Sequence, residues 1–289
     1  MEMTDSLLTT EYENTKRLCR ADLRSAQAGE AILKLANLSL RFLATRCRPV
    51  DLVSKVPGKQ YFSFKKGNVV ARPANRKYFV PDARDITRLW KKWLRATVTN
   101  DEFAKLTYTI ALAPCLAMEM FDRQNKKGPA TYFECYIGHL FAKAVGVNPT
   151  KGVRLPVHGR SVPMTMDFLI DMGKGRRKVH LPVKMSTRER VVQAWAHQRL
   201  LNAAYGVGAY RGIMVLFSET KLDSRKLEVV EICVPGQWLA YQSLLAHMDR
   251  IYYFDIPSRY QTLTAQHPKV IAIKQFGEFF TEREAVLHS

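Results

Sequence analysis

Apolar residues between Ala31 and Ala44 recur three or four apart, at Ile32, Leu35, Leu38 and Phe42. That spacing lines one face of an α-helix, and residues 2–48 read as mostly helical, closed by Pro49. Residues 50–81 change character. Pro, Gly and Lys mix with Tyr61, Phe62, Phe64, Tyr78 and Phe79, a pattern of extended or looped chain. Such aromatics usually pack a small sheet; interleaved with basic residues they can also stack on nucleic acid. Residues 82–97 and 101–121 predict two helices. The first carries Trp90 and Trp93 in the run RLWKKWLR, read as core packing beneath a solvated basic face. Residues 123–129 form a linker of turn residues. Residues 131–146 predict a helix whose apolar stripe is Phe133, Ile137, Leu140, Phe141 and Ala144, with Gly146 as C-cap.

The stretch from Thr165 to Leu201 reads as strand, turn, strand, helix. Residues 165–171 form an apolar strand, Gly173-Lys174-Gly175-Arg176 a turn, and residues 178–184 a second strand rich in Val and Leu. A turn centred between Gly175 and Arg176 sets Asp167 opposite Lys184, and opposed residues project from one face of a hairpin. Buried strands follow at 212–217 and 227–234, then a helix at 235–248, a short strand at 250–255, and a closing strand near 269–273 before an amphipathic end. This succession describes an α/β (α+β) chain with a mixed sheet flanked by helices. The expected division is a mainly helical N-terminal region, 1–124, carrying the basic and aromatic segment and packed on a core of residues 125–289.

Composition is that of a globular protein, 47% hydrophobic and 25% charged over 289 residues. Charge changes the picture: 45 Lys and Arg against 26 acids give a formal net charge of +19. Such an excess attracts polyanions, and nucleic acid is the first candidate. Cys19, Cys47, Cys115, Cys135 and Cys233 are scattered and form no CxxC pair, which argues against zinc-ribbon or thioredoxin chemistry and fits a reducing cytosol. The N-terminus lacks the basic-then-apolar order of a signal peptide, and no apolar run reaches the roughly 20 residues that span a bilayer.

The candidate chemistry is Asp167 with Lys184, and Glu134 on the preceding helix beside Gly138. Carboxylates bind hard divalent cations, and a lysine ammonium can hold a phosphate or help activate a water. Together these are parts for metal-assisted phosphodiester cleavage. Taken singly, an Asp and a Lys on strands are more often a surface pair.

Glu134 on a helix, Asp167, and Lys184 after a hairpin resemble the PD-(D/E)xK nuclease superfamily over roughly residues 131–217. The position two before the lysine, acidic in that signature, is Pro182 here. With Arg188-Glu189-Arg190 shortly after the lysine, the chain resembles the subgroup of type II restriction endonucleases that read sites built on 5′-CC…GG. There the middle acid moves to the following helix, and the triplet reads the C:G pairs. The resemblance implies a restriction-endonuclease-like fold and magnesium held by Asp167 and Glu134. It makes Lys184 the water-positioning lysine, and Arg188, Glu189 and Arg190 the base readers. The displaced acid falls near His197 or Gln198, neither acidic; Gln198 would offer an amide oxygen in its place. The partner implied is double-stranded DNA, cut by a homodimer or tetramer with 5′ phosphates left, in the cytoplasm of a bacterium or archaeon. A structure-specific repair nuclease or resolvase, or a basic DNA-binding protein without catalysis, are the alternatives. Arginine gives a bidentate pair to guanine O6 and N7, and glutamate accepts from cytosine N4. Ser186 three residues before Glu189 equally fits a capping box.

Overall fold

Residues 2–122, 124–186 and 191–288 are described by the structure, a computed structural model. Among them the chain forms two compact units, Met1–His139 with Thr220–Glu231, and Leu140–Glu219 with Ile232–Ser289.

The first unit begins with α1 (Glu2–Ala21) and α2 (Ala26–Arg46). Ser25 caps α2, its side chain accepting from the Ala28 N–H. Of the predicted stripe, Ile32, Leu35 and Phe42 are buried, while Leu38 is half-buried at the edge of the face. Strands β1 (Arg48–Ser54), β2 (Tyr61–Lys66), β3 (Val69–Val70) and β4 (Ala74–Asn75) follow. Then come α3 (Ala83–Leu94), α4 (Asn100–Phe121) and α5 (Gly128–Val145), whose residues from Leu140 on belong to the second unit. The aromatic segment packs a sheet. Phe62, Phe64 and Phe79 are buried and meet with ring centroids 5.4–6.0 Å apart. Trp90 is buried and edge-on to Trp93 at 4.8 Å, as core packing requires. Helix α4 is apolar around its whole circumference and almost entirely buried, the signature of a central helix.

The second unit contains β5 (Thr150–Val157), β6 (Arg160–Ile170), β7 (Lys178–His180) and β8 (Val183–Lys184). Helix α6 (Val191–Tyr205) and β9 (Tyr210–Leu216) follow. Strands β10 (Thr220–Asp223) and β11 (Glu228–Glu231) return to the first unit, where β11 pairs in parallel with β1. The sequence reading kept residues 220–231 with the core. Their partner, β1, lies far away in sequence, so no local pattern reveals the pairing. The chain closes with α7 (Pro235–Ala240), a π-helical turn at Tyr241–Leu245, β12 (Arg250–Tyr253), α8 (Ser258–Gln266), β13 (Ile273–Gln275) and α9 (Glu278–His288).

The second unit's sheet runs β13-β12-β9-β7-β6-β5, with β8 also on β9. Strand β9 is buried at every position and has parallel neighbours in β7, β8 and β12. A parallel strand covered on both faces needs such an unbroken apolar run. Helix α6 turns Ala194, Trp195, Gln198 and Leu201 inward. Trp195 shares a core cluster with Met214, Leu216 and Trp238.

The predicted hairpin register is corrected. Leu169 faces His180 and Ile170 faces Val179, which centres the turn between Lys174 and Gly175. Asp171 shapes it by accepting the Gly173 N–H at 3.0 Å and pairing with Lys178 at 2.7 Å, and Gly173 and Gly175 supply positive φ. Lys184 is therefore not opposite Asp167 in a β6–β7 ladder. It sits on β8, in register with Leu216 of β9. Sequence analysis also missed β5 and the long antiparallel ribbon it makes with β6.

Candidate active site

Asp167 and Lys184 meet, although not as hairpin partners. Lys184 Nζ lies 2.7 Å from Asp167 Oδ2 and 3.0 Å from Oδ1. The side chains are 20% and 24% exposed, so the pair is reachable from solvent. Two features of the backbone aim the carboxylate. First, the β5–β6 register slips between Thr165 and Leu169 while β5 advances only from Gly152 to Thr150. This irregularity in β6 brackets Asp167, and such irregularities re-aim side chains. Second, the Pro182 carbonyl accepts from Val215 of β9 and the Lys184 carbonyl from Phe217, the residue just past that strand. The intervening Val183 N–H then points away from β9 and donates to Asp167 Oδ2 at 2.9 Å. Pro182, where the family signature has an acid, thus contributes a carbonyl to the sheet, and the carboxylate takes the next N–H.

Beneath the pair lies a buried polar network that sequence reasoning missed. His180, on β7, is fully buried, with Nδ1 2.9 Å from Gln198 Oε1. An amide oxygen only accepts, so Nδ1 carries the proton. His180 Nε2 is buried with no hydrogen-bond partner among the described residues. Gln198 Nε2 donates to Tyr210 O at 2.9 Å and Asn202 Oδ1 at 3.0 Å. Gln198 is 1% exposed, and its oxygen is taken by His180. The amide expected to face a metal is therefore spent on holding His180 and β9. A histidine inside the apolar run KVHLPV was the available sequence signal.

Burial pushes the His180 imidazole down to about 4, against a smaller upward pull from the Gln198 hydrogen bond. His197 is half-buried one residue before Gln198. Burial lowers it too; Asp167 pulls its pKa up and Lys184 pushes it down. His197 thus lies within electrostatic reach of the pair.

A histidine with a depressed folded pKa is neutral in the native state where the unfolded chain already takes up a proton. Stability is full above the ordinary value near 6.5 and is lost as pH falls from there through about 4. For His180 that difference amounts to roughly 3 kcal/mol. Thermal melts should therefore show wild-type stability falling between pH 6.5 and 4, and His180→Gln should flatten the fall. Equal slopes for both proteins would exclude His180 as the group responsible.

Gly212 of β9 lies in register with His180. A Cβ there would come within 2.5 Å of Met248 Sδ and 2.9 Å of Gln198 Oε1. Gly212→Ala should destabilise the protein by about 1–3 kcal/mol through overpacking, read as a lower denaturation midpoint. An unchanged midpoint would show that Met248 and Gln198 yield without cost.

Glu134 lies on α5, half-buried, in the first unit. Arg188, Glu189 and Arg190 fall outside the described residues. Among the described residues, no group of three or more His, Cys, Asp or Glu is arranged to hold a metal ion. A magnesium ion is usually bound by only one or two carboxylates, with waters and substrate phosphate oxygens completing its shell. Asp167 fits that mode, as a reachable hard-oxygen donor whose present counter-charge is Lys184.

No family model and no curated protein sequence matches the chain. Among solved structures, the crystal structure of the type IIP restriction endonuclease Kpn2I aligns with 96% of this chain and 97% of its own, with a TM-score of 0.81 at 21% identity. The chain has the restriction-endonuclease fold. A second structure, the restriction endonuclease PspGI–substrate DNA complex, covers 71% of this chain and 92% of its own, with a TM-score of 0.47 at 12% identity. Within the restriction-endonuclease fold of this chain, β6, β7, β8 and α6 carry Asp167, His180, Lys184 and Gln198. No helix among the described residues is long and apolar enough to cross a membrane.

Proposed function

We propose that this chain is a magnesium-dependent type II restriction endonuclease that cuts both strands of DNA at a site containing CC…GG and leaves 5′ phosphates. The observation that carries the reading is the contact of Lys184 Nζ with both oxygens of Asp167, in a chain whose fold is that of Kpn2I. The net charge of +19 suits a duplex substrate.

In this reading Asp167 holds the magnesium ion, with Glu134 as the second carboxylate. When bound, the ion supplies Lewis-acid stabilisation of charge on the phosphoryl oxygens. Lys184 offers its ammonium to the scissile phosphate and holds the attacking water. Water attacks phosphorus in line with the departing 3′ oxygen. Val183 fixes the Asp167 carboxylate through its N–H. Gln198 holds His180 and β9 in place within the core rather than meeting the ion. Arg188, Glu189 and Arg190 read the C:G pairs. Two copies of the chain cut the two strands of a symmetric site.

Incubating the full chain with plasmid and phage DNA in magnesium tests this. Discrete fragments with common ends are expected. Nicks confined to branched or damaged DNA would replace the reading with a repair nuclease. Binding without cleavage would replace it with a DNA-binding protein.

A further inference from the structure

Strands β5 and β6 extend well past the point where the core holds them. Leu155 is buried against Met166, Leu169, Leu201 and Tyr210, and the Tyr205 hydroxyl donates to the Arg154 carbonyl at 2.5 Å. Beyond these anchors the residues 156–163 are exposed on both faces of the ribbon. The tip is a two-residue turn, His158-Gly159, with φ of 47° and 73°. Positive φ at both positions is the hairpin turn whose twist matches the flanking strands, so the tip is a built, twisted ribbon. Val157 and Val162 stand exposed on it, at 42% and 41%.

The ribbon is basic and contains no acid. Lys151, Arg154 and Arg160 occur between Thr150 and Met166, with no Asp or Glu in that span. Neither Arg154 nor Arg160 forms an ion pair among the described residues. The Arg154 guanidinium lies across the ribbon, donating to Ser161 Oγ at 2.9 Å and to the Ser161 carbonyl at 3.3 Å. It is held in place before any partner arrives, so less ordering entropy is lost on contact.

We infer that the β5–β6 ribbon is a duplex-DNA contact arm, with Arg154 and Arg160 on backbone phosphates and the Val157–Val162 tip against the groove. The inference rests on the nuclease reading for its substrate. The major groove of B-DNA, about 12 Å wide, admits a two-stranded ribbon. Arg154 faces Pro163, four residues from Asp167, and Arg160 lies seven away. At roughly 3.3 Å per residue, the two guanidiniums are anchored about 13 and 23 Å along the strand from the carboxylate. That is about four to seven base steps at 3.4 Å each, a contact flanking the cleavage point. The other occupant to weigh is a second copy pairing along β5, the edge strand of its sheet. It would set Lys151 and Arg154 against like charges, and Pro156 lacks a donor for the new ladder.

The test is the salt dependence of binding to a duplex oligonucleotide of arbitrary sequence without divalent ions, by fluorescence anisotropy. Wild type is compared with Arg154→Gln/Arg160→Gln and with Arg154→Lys/Arg160→Lys. The glutamine variant should lower the slope of log affinity against log salt by about 1.8, or 0.9 for each lost phosphate contact, with an unchanged melting temperature. The lysine variant should keep the wild-type slope. An unchanged slope in the glutamine variant overturns the arm, as does a slope lost equally in the lysine variant. A change of oligomeric state without a change of slope overturns it in favour of a second copy. In those cases discrete cutting of plasmid would still leave the nuclease reading standing. No duplex binding by wild type would overturn both.

Discussion

Replacing Asp167 or Lys184 by alanine is expected to reduce DNA cleavage by roughly a thousand-fold or more while the protein stays folded. Charge stabilisation by a bound metal supplies several kcal/mol of the barrier, and each 1.4 kcal/mol is tenfold in rate. The pair is partly exposed, at 20% and 24%, so breaking it should cost stability only about 1 kcal/mol. Asp167→Asn separates charge from shape. The amide oxygen still accepts from the Val183 N–H, which holds the loop, but the anionic ligand is gone. It should be as inactive as Asp167→Ala and more stable. Cleavage is read on plasmid in magnesium, folding by thermal melts, and binding to cognate duplex in calcium, which should survive in at least one variant. Near wild-type cutting by either alanine variant would falsify the site.

Specificity is expected to fail at Arg188, Glu189 and Arg190 without loss of fold. Each bidentate pair to a base edge is worth about 1–3 kcal/mol of discrimination, a factor of roughly 5 to 150. Arg188→Ala and Arg190→Ala should lose cognate affinity by that factor and keep non-specific affinity far better. Glu189→Ala should relax the choice of cytosine, because the carboxylate accepts the N4 hydrogen. The competing role is structural: with Ser186 three residues before it, Glu189 can close a capping box. Then Glu189→Ala would cost about 1 kcal/mol of stability and leave base preference alone. A panel of single-base-pair variants measured beside thermal melts separates the two. Unchanged specificity with a lowered melting temperature would remove the sharpest support for CC…GG reading.

By itself the sequence determined the elements whose signal is periodic and local. The 3–4 spacing of Ile32, Leu35, Leu38 and Phe42 put α2 where it lies, since a helix exposes any error in that spacing as apolar surface. The apolar run at 212–217 marked β9 as a buried strand, because a strand covered on both faces tolerates no polar alternation. Asp167 and Lys184 were legible as a pair because a short hairpin leaves few ways to place two strands. Their contact was right, but its geometry was decided by tertiary structure. The glycine turn moved by one residue and so shifted the pairing by two, the irregularity in β6 re-aimed Asp167, and β8 found its partner in β9. The first two lie within hairpins, where turn position and a strand irregularity set the register, and the third needs a parallel partner reached only across α6. The same holds for β11, whose parallel partner β1 is more than 170 residues earlier. It holds most clearly for Gln198. On the sequence it stood where an acid is displaced, and only burial against His180, Tyr210 and Gly212 shows its amide to be spent on the core. A side chain's chemistry is written in the chain, but which of its atoms remain free is settled by what packs against them.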